Sequence, residues 1–345
     1  MSAEFLDLRS DTFSVPCRGM RQAIANAQVG DDVFSEDPTV NSLEERTAEL
    51  LGKEAGLFVA SGTMGNGIGI RVLTSPGDQV ICGSKSHIYN YEGGQFSLNS
   101  GLQLHRLDEG ADGMPCLSEI QNALSLKEDI HRAPRTLLSL ENTHNLMGGR
   151  IPEQSKMVEA CRMAKNAGLA TYLDGARLWH AHVERNVSLA ELAAPFDMVS
   201  VCFSKALGAP VGSLLAGSRD QIDRARWFRK RMGGAMRQTG IIAAGCHYAL
   251  DNNLPRLGRT REYAVRLAEA LAGTGRFSAD TGDIHSNIVF LKTEEGMAER
   301  AVSDFLELGI KVLALDSSSV RMVTHLSIDP KLVDRSIERI EKEWR

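Results

Sequence analysis

The chain has 345 residues, 43% of them hydrophobic and 24% charged, ordinary values for a globular protein long enough for about two domains. A net charge of -5 and a pI near 6.0 argue against a nucleic-acid partner, which calls for a clustered basic surface. Six scattered cysteines (17, 82, 116, 161, 202 and 246) follow neither zinc nor disulfide spacing, and no signal-peptide pattern or long apolar run is present. Together these predict a soluble, cytoplasmic chain with reduced thiols.

In chain order, Leu6 to Thr12 is a short alternating segment that Pro16 stops, and a helix is predicted over Arg18 to Gln28. Asp37-Pro38 reads as a helix start leading into Val40 to Leu51. Leu57 to Ala60 reads as a buried strand ending at the glycine-rich Ser61 to Gly67. Short apolar runs at Gln79 to Cys82, Leu102 to Leu107 and Arg135 to Leu140 alternate with a helical stretch at Ser118 to Leu126. A helix over Glu153 to Gly168 then leads to a strand over Leu169 to Leu173, which ends at Asp174. This alternation predicts a parallel sheet covered on both faces, with functional groups at the carboxyl ends of its strands. From about residue 250 the texture becomes α+β. A long helix over Arg256 to Ala272 is followed by strands at Ser286 to Leu291, Lys311 to Leu315 and Arg321 to Leu326, with a helix near Ala298 to Leu308 and a charged final helix. The expected division is a large unit of residues 1–249 and a small C-terminal unit of residues 250–345.

Several stretches carry chemistry. Asp197 to Leu215 places Ser204-Lys205 on a Gly/Pro-rich turn between two apolar runs, where a lysine can lose water and become a nucleophile. Alone, such a lysine reads more readily as a surface residue. Ser61-Gly62-Thr63 lies between a strand and a helix start, a backbone anion site or simply a turn. Asp174 ends an apolar strand, so it needs a cationic or N–H partner there unless it is a helix cap. Arg177 follows it and can turn toward an anion. His87 lies just past a strand and offers a flat ring for stacking. Glu141 to Asn145 crowds five polar residues after an apolar strand, as a site lining or a hydrogen-bonded loop. Arg231 and Arg237 flank a glycine hinge, and Arg321 sits within an apolar strand; a guanidinium there suits phosphate or carboxylate. The basic run Arg224 to Arg231 reads as a helix surface or a site for one anion. Lysine, carboxylate, histidine, anion turn and arginines form the set needed to hold pyridoxal phosphate and an amino acid.

On nine stretches the sequence resembles the threonine aldolase branch of the fold-type-I pyridoxal-phosphate enzymes. They are DLRSDT (7–12), VGDDVF (29–34), EDPTVN (36–41), SGTMGN (61–66), ENTHN (141–145), LDGAR (173–177), SKALGAPVGS (204–213), GGAMRQTG (233–240) and RMVTHL (321–326). They span nearly the whole chain in the family's order. The resemblance implies an α/β fold with a mostly parallel seven-stranded sheet between helices, and a smaller α+β C-terminal domain. It implies that Lys205 carries pyridoxal 5'-phosphate as a Schiff base, that Asp174 pairs with the pyridine nitrogen and that His87 stacks on the ring. Ser61, Gly62 and Thr63 would hold the phosphate, with Arg237 reaching it across a subunit boundary. Ser10, Arg177 and Arg321 would hold the substrate carboxylate, Phe34 would lie beside the site, and His131 would stand near the substrate hydroxyl. The sequence departs from the family at Phe34, commonly tyrosine, and at Ala206, commonly glycine. The implied reaction is retro-aldol cleavage of L-3-hydroxy-2-amino acids to glycine and an aldehyde, in a homo-oligomer of at least two and by preference four subunits with shared sites. The alternatives are β-elimination, transamination or racemisation on the same cofactor, or a non-catalytic binding protein of this fold. No metal is expected.

Overall fold

The computed structural model describes residues 5–126, 129–279 and 281–344. Its strands are β1 (Leu6–Asp7), β2 (Ala55–Val59), β3 (Gln79–Gly83), β4 (Gln103–Leu107), β5 (Arg135–Glu141), β6 (Ala170–Gly175), β7 (Met198–Cys202), β8 (Ser213–Gly217), β9 (Ile288–Lys292), β10 (Ile310–Lys311), β11 (Leu313–Asp316) and β12 (Ser319–Val323). Seven of these form one sheet in the order β2-β8-β7-β6-β5-β3-β4. Within it β8 runs antiparallel to both of its neighbours, and all other pairs are parallel.

Successive side chains of a strand point to opposite faces, and here both faces are apolar. Phe58, Ile81, Leu138, Leu173, Val199 and Leu214 pack into one core, whereas Leu57, Val80, Leu137, Tyr172, Met198 and Leu215 pack into another. A sheet covered on both sides explains why these strands read as continuous apolar runs. It also leaves the strand ends as the place for polar groups, and one edge collects the carboxyl ends of six strands.

Helix Gly62–Leu73 covers the sheet although it contains four glycines, each costing a helix roughly 1 kcal/mol relative to alanine. Close approach explains their use. A Cβ on Gly69 would strike the Tyr172 ring and lie 2.8 Å from Leu215 Cδ1, so the helix lies against the sheet only because no side chain intervenes.

The C-terminal part has an antiparallel sheet in the order β11-β12-β9. It shares a separate core with helices Gly258–Ala272, Ala298–Glu307 and Pro330–Trp344. Leu6 and Leu8 belong to this core, and β1 pairs in parallel with β10. The predicted strand over Lys311 to Leu315 is in fact two, because the chain changes partner at the buried Val312, leaving β1 for β12. The basic run lies in helix Arg219–Arg231, with Arg229 turned inward to Asp32 and Phe58 O. Among the described residues no helix is long and apolar enough to cross a membrane.

Candidate active site

The turn after β7 is tied down on all sides. Phe203 N donates to Gly212 O at 3.0 Å and Gly208 N to Lys205 O at 2.8 Å. Ser14 Oγ donates to Lys205 O at 2.9 Å, and Asn253 Nδ2 to Leu207 O at 2.7 Å. Gly212 has φ +122, and a Cβ there would lie 2.7 Å from the Phe58 ring, so the tight return into β8 requires glycine. The half-buried Lys205 enters a cavity of about 350 Å³ whose lining includes Ser10, His87, Asn145, Arg177 and Arg321. Thr12, Tyr91 and the β11 residues Leu313 to Leu315 complete its wall.

Asp174, at the end of β6, is 3% exposed. Its Oδ1 accepts Ala176 N at 3.1 Å and its Oδ2 accepts Asn66 Nδ2 at 2.8 Å. The neighbouring His87 opens a short helix after β3. Its backbone N donates to Glu141 Oε2 at 2.7 Å, and its ring Nδ1 lies 2.8 Å from Glu92 Oε1. Burial works against the imidazolium, but the Glu92 hydrogen bond and the Asp174 charge overcome it and hold the His87 pKa above its ordinary value. Glu141 also accepts Asn145 N at 2.8 Å through Oε1, so one carboxylate ties the His87 segment to the loop after β5. On that loop the buried His144 meets Glu109 at 3.1 Å. Its pKa too is raised against the effect of burial, by the Glu141 charge and then the Glu109 hydrogen bond.

The opposite wall is cationic. Arg177 is 6% exposed and donates in bidentate fashion to the fully buried Asp11, through Nε at 2.7 Å and Nη2 at 2.8 Å. Burial opposes ionisation of Asp11, yet Arg177 and then Lys205 and Asn287 hold its carboxyl far below the usual range. The third Arg177 donor, Nη1, meets Asn145 Oδ1 at 3.3 Å, and Arg321 Nη1 reaches the same oxygen at 3.4 Å. The other contact of Arg321 is 3.4 Å to Arg9 O, and its buried Nε has no partner. Two guanidinium groups therefore converge on one side of the cavity with donor capacity to spare.

Ser61 caps helix Gly62–Leu73, accepting Met64 N at 3.1 Å, so the first N–H groups of a twelve-residue helix lie at the end of β2. A Cβ on Gly62 would lie 2.7 Å from Cys202 Sγ at the end of β7, which brings this turn against the strand leading to Lys205. Ser10 lines the cavity and accepts Thr12 N at 3.2 Å.

Three expected residues stand apart in the single chain. Arg237 is exposed and paired with Asp31 at 3.0 Å. Phe34 is 69% exposed, as is Trp227 at 70%, and it does not line the lysine cavity. His131 lies exposed on the turn before β5, its N donating to Asp129 Oδ1 at 2.9 Å. The seven residues of β5, at about 3.3 Å each, put roughly 20 Å between that turn and the site edge. A cavity of about 790 Å³ beside Asp129 and Ile130 belongs to that far edge.

Sequence reasoning did not assign Asp11, Asn66 or Glu92. Asn66 stood inside SGTMGN and Asp11 inside DLRSDT; Glu92 had no such signal.

A family model described as Beta-eliminating lyase matches residues 7–294. The low specificity L-threonine aldolase of Escherichia coli K12 is 39% identical over 341 residues, covering 99% of this chain and 98% of its own length. Low-specificity L-threonine aldolase 1 of Arabidopsis thaliana is 39% identical over 328 residues, with 94% and 92% covered. In fold, the chain is similar to a solved threonine aldolase from Leishmania major, with a TM-score of 0.84 at 21% identity over 99% of this chain and all of that one.

Proposed function

The chain belongs to the beta-eliminating lyase family, alongside the low-specificity L-threonine aldolases, and from that membership we propose that it cleaves L-3-hydroxy-2-amino acids such as L-threonine and L-allo-threonine to glycine and an aldehyde. Pyridoxal 5'-phosphate is the cofactor. The observation that carries this reading is one strand-end edge holding a half-buried Lys205, a buried Asp174 and two converging arginines.

The residues fit the cofactor. The N–H groups at Gly62 and Thr63 suit its phosphate, with Gly62 leaving no Cβ in a space bounded by Cys202. Asp174, fixed by Asn66 and Ala176, suits its ring nitrogen, and His87 offers a ring face. Bound there, the cofactor would supply the carbonyl that condenses with an amine and the ring that takes up the electron pair of the broken Cα–Cβ bond.

Arg177 and Arg321 bind the substrate carboxylate. Asp11 keeps Arg177 from swinging, so this half of the clamp is set before substrate arrives, while the long contacts of Arg321 leave it free to close on the anion. His87 is the candidate to take the hydroxyl proton: Glu92 occupies Nδ1, which leaves Nε2 for the cavity. A part for His131, and for Phe34 and Arg237, requires a second copy of the chain. We therefore read the protein as a homo-oligomer, at least a dimer and by preference a tetramer. The exposure of Phe34, Trp227 and Ile130, the last at 96%, supports that reading, and a monomer by light scattering would overturn it. Six unpaired cysteines support residence in the cytoplasm; detection of the native protein in an oxidising compartment would contradict it.

The test is to incubate the purified, cofactor-loaded protein with each threonine diastereomer. Acetaldehyde and glycine in equal amounts are expected. 2-Oxobutanoate and ammonia without aldehyde would instead establish β-elimination, the second reading that the family description favours.

A further inference from the structure

Glu92 enters the chemistry above only as the partner of His87 Nδ1, yet it is the hub of the site's polar network. Its side chain is 0% exposed. Oε1 meets His87 Nδ1 at 2.8 Å and accepts Asn66 Nδ2 at 2.9 Å, and Oε2 accepts Gln95 Nε2. A carboxylate this deep requires donors on both oxygens and a positive partner. Of these three donors, only the imidazole can carry charge.

Asn66 extends the network. The same Nδ2 that donates to Glu92 also donates to Asp174 Oδ2 at 2.8 Å, while Oδ1 accepts Tyr172 OH and Ser200 Oγ, each at 2.9 Å. With hydroxyl donors on one end and carboxylates on the other, the carboxamide has one workable orientation. Two buried carboxylates thus share one amide nitrogen, and one of them also grips the histidine.

We propose that Glu92 is a positioning residue that fixes the tautomer and charge of His87 and, through Asn66, the rotamer of Asp174. One buried acid then sets both the ring face and the ring-nitrogen carboxylate of the cofactor site. The groups facing His87 are Glu92 on its own segment, Asp174 from β6, Lys205 from the turn after β7, Tyr91 at 5.7 Å between ring centroids and Glu141, which takes its backbone N–H. Burial and Lys205 oppose the imidazolium, and Glu92 and Asp174 favour it. Glu92 makes Nε2 the single nitrogen left for the cavity and strengthens it as a base.

The role of His87 as base rests on the aldolase reading, but the test does not. Glu92→Gln removes the charge and keeps an oxygen for His87 and Asn66; its new Nε2 faces the Gln95 carboxamide, which can turn to accept only by giving up its bond to Thr63 O. In cofactor-loaded protein labelled at histidine, the NMR titration midpoint of His87, assigned with His87→Gln, is expected to fall by about one unit or more in Glu92→Gln. That is at least a tenfold change in the imidazolium ratio, and an unchanged midpoint overturns the proposal. The acidic limb of kcat/KM for L-threonine should move to lower pH in step. If the midpoint falls while no aldehyde forms in either protein, the assignment of Glu92 stands and the aldolase reading fails. Wild type alone supplies a second check that needs no variant: its His87 midpoint lies above about 6.5, and a value at or below that overturns the proposal.

Discussion

Asp11→Asn isolates the buried pair that holds the carboxylate-binding wall. Asp11 is fully buried and Arg177 6% exposed, so neither reaches enough water to relax on its own. Asparagine keeps one oxygen for Arg177 Nε or Asn287, but turns an N–H₂ toward Arg177 Nη2, donor against donor, and leaves a buried guanidinium without its counter-charge. Breaking a buried pair in this way costs about 3–5 kcal/mol, or a fall in unfolding midpoint of at least 6 °C at about 2 °C per kcal/mol. Thermal unfolding of loaded protein at one fixed concentration reads it. The pH dependence has a definite sign. The folded pKa of Asp11 is depressed, so its contribution is complete above the unfolded value near 3.9 and is lost only as pH falls through the folded one. The gap between wild type and variant should therefore hold constant from neutral pH to about pH 5 and narrow only in stronger acid. Asp11→Leu/Arg177→Met, which removes both charges, should regain much of the stability while binding the substrate carboxylate more weakly, with Arg321 alone. A loss below about 1 kcal/mol, typical of an exposed pair, or a gap that widens toward acid, would refute the reasoning.

Replacing Arg321 with alanine should raise KM for L-threonine with a smaller effect on kcat, lowering kcat/KM roughly ten- to a hundredfold, the value of a hydrogen bond to a charged group; steady-state kinetics check it. Gly62→Ala should weaken cofactor binding, measured by equilibrium dialysis, because its Cβ would lie 2.7 Å from Cys202 Sγ. Adding Cys202→Ala should restore part of that affinity. The raised pKa of His144, set by the Glu141 charge and then the Glu109 hydrogen bond, means that these contacts of the imidazolium stabilise the fold fully below the unfolded histidine value and lose that contribution as pH rises through the folded one. Glu109→Gln should therefore cost more stability at about pH 6 than at about pH 9, as denaturant titrations at the two values would show.

Much of the site was legible because its residues sit where strands end. Asp174 closes an apolar strand, Lys205 follows another, and Ser61 to Thr63 stand at a helix start, so the apolar pattern marks their places while their roles came from the family resemblance. The helix over Gly62–Leu73 was harder to read, since its glycines argue for a loop until Tyr172 and Leu215 are seen against them. The division of residues 310–316 between two sheets was hidden because a partner change leaves the apolar pattern intact. Glu92 was silent for a related reason: its burial depends on Asn66 arriving from another element. His131 shows a limit of another kind, since β5 carries it away from its own lysine and only a second chain could use it.

The most direct measurement is to reduce the cofactor-loaded protein with borohydride, digest it and locate the pyridoxyl group by mass spectrometry. The account predicts a single modified residue, Lys205, on the turn between β7 and β8, and no label in Lys205→Ala. A label on any other lysine, or a visible cofactor band and aldehyde formation that persist in Lys205→Ala, would contradict it.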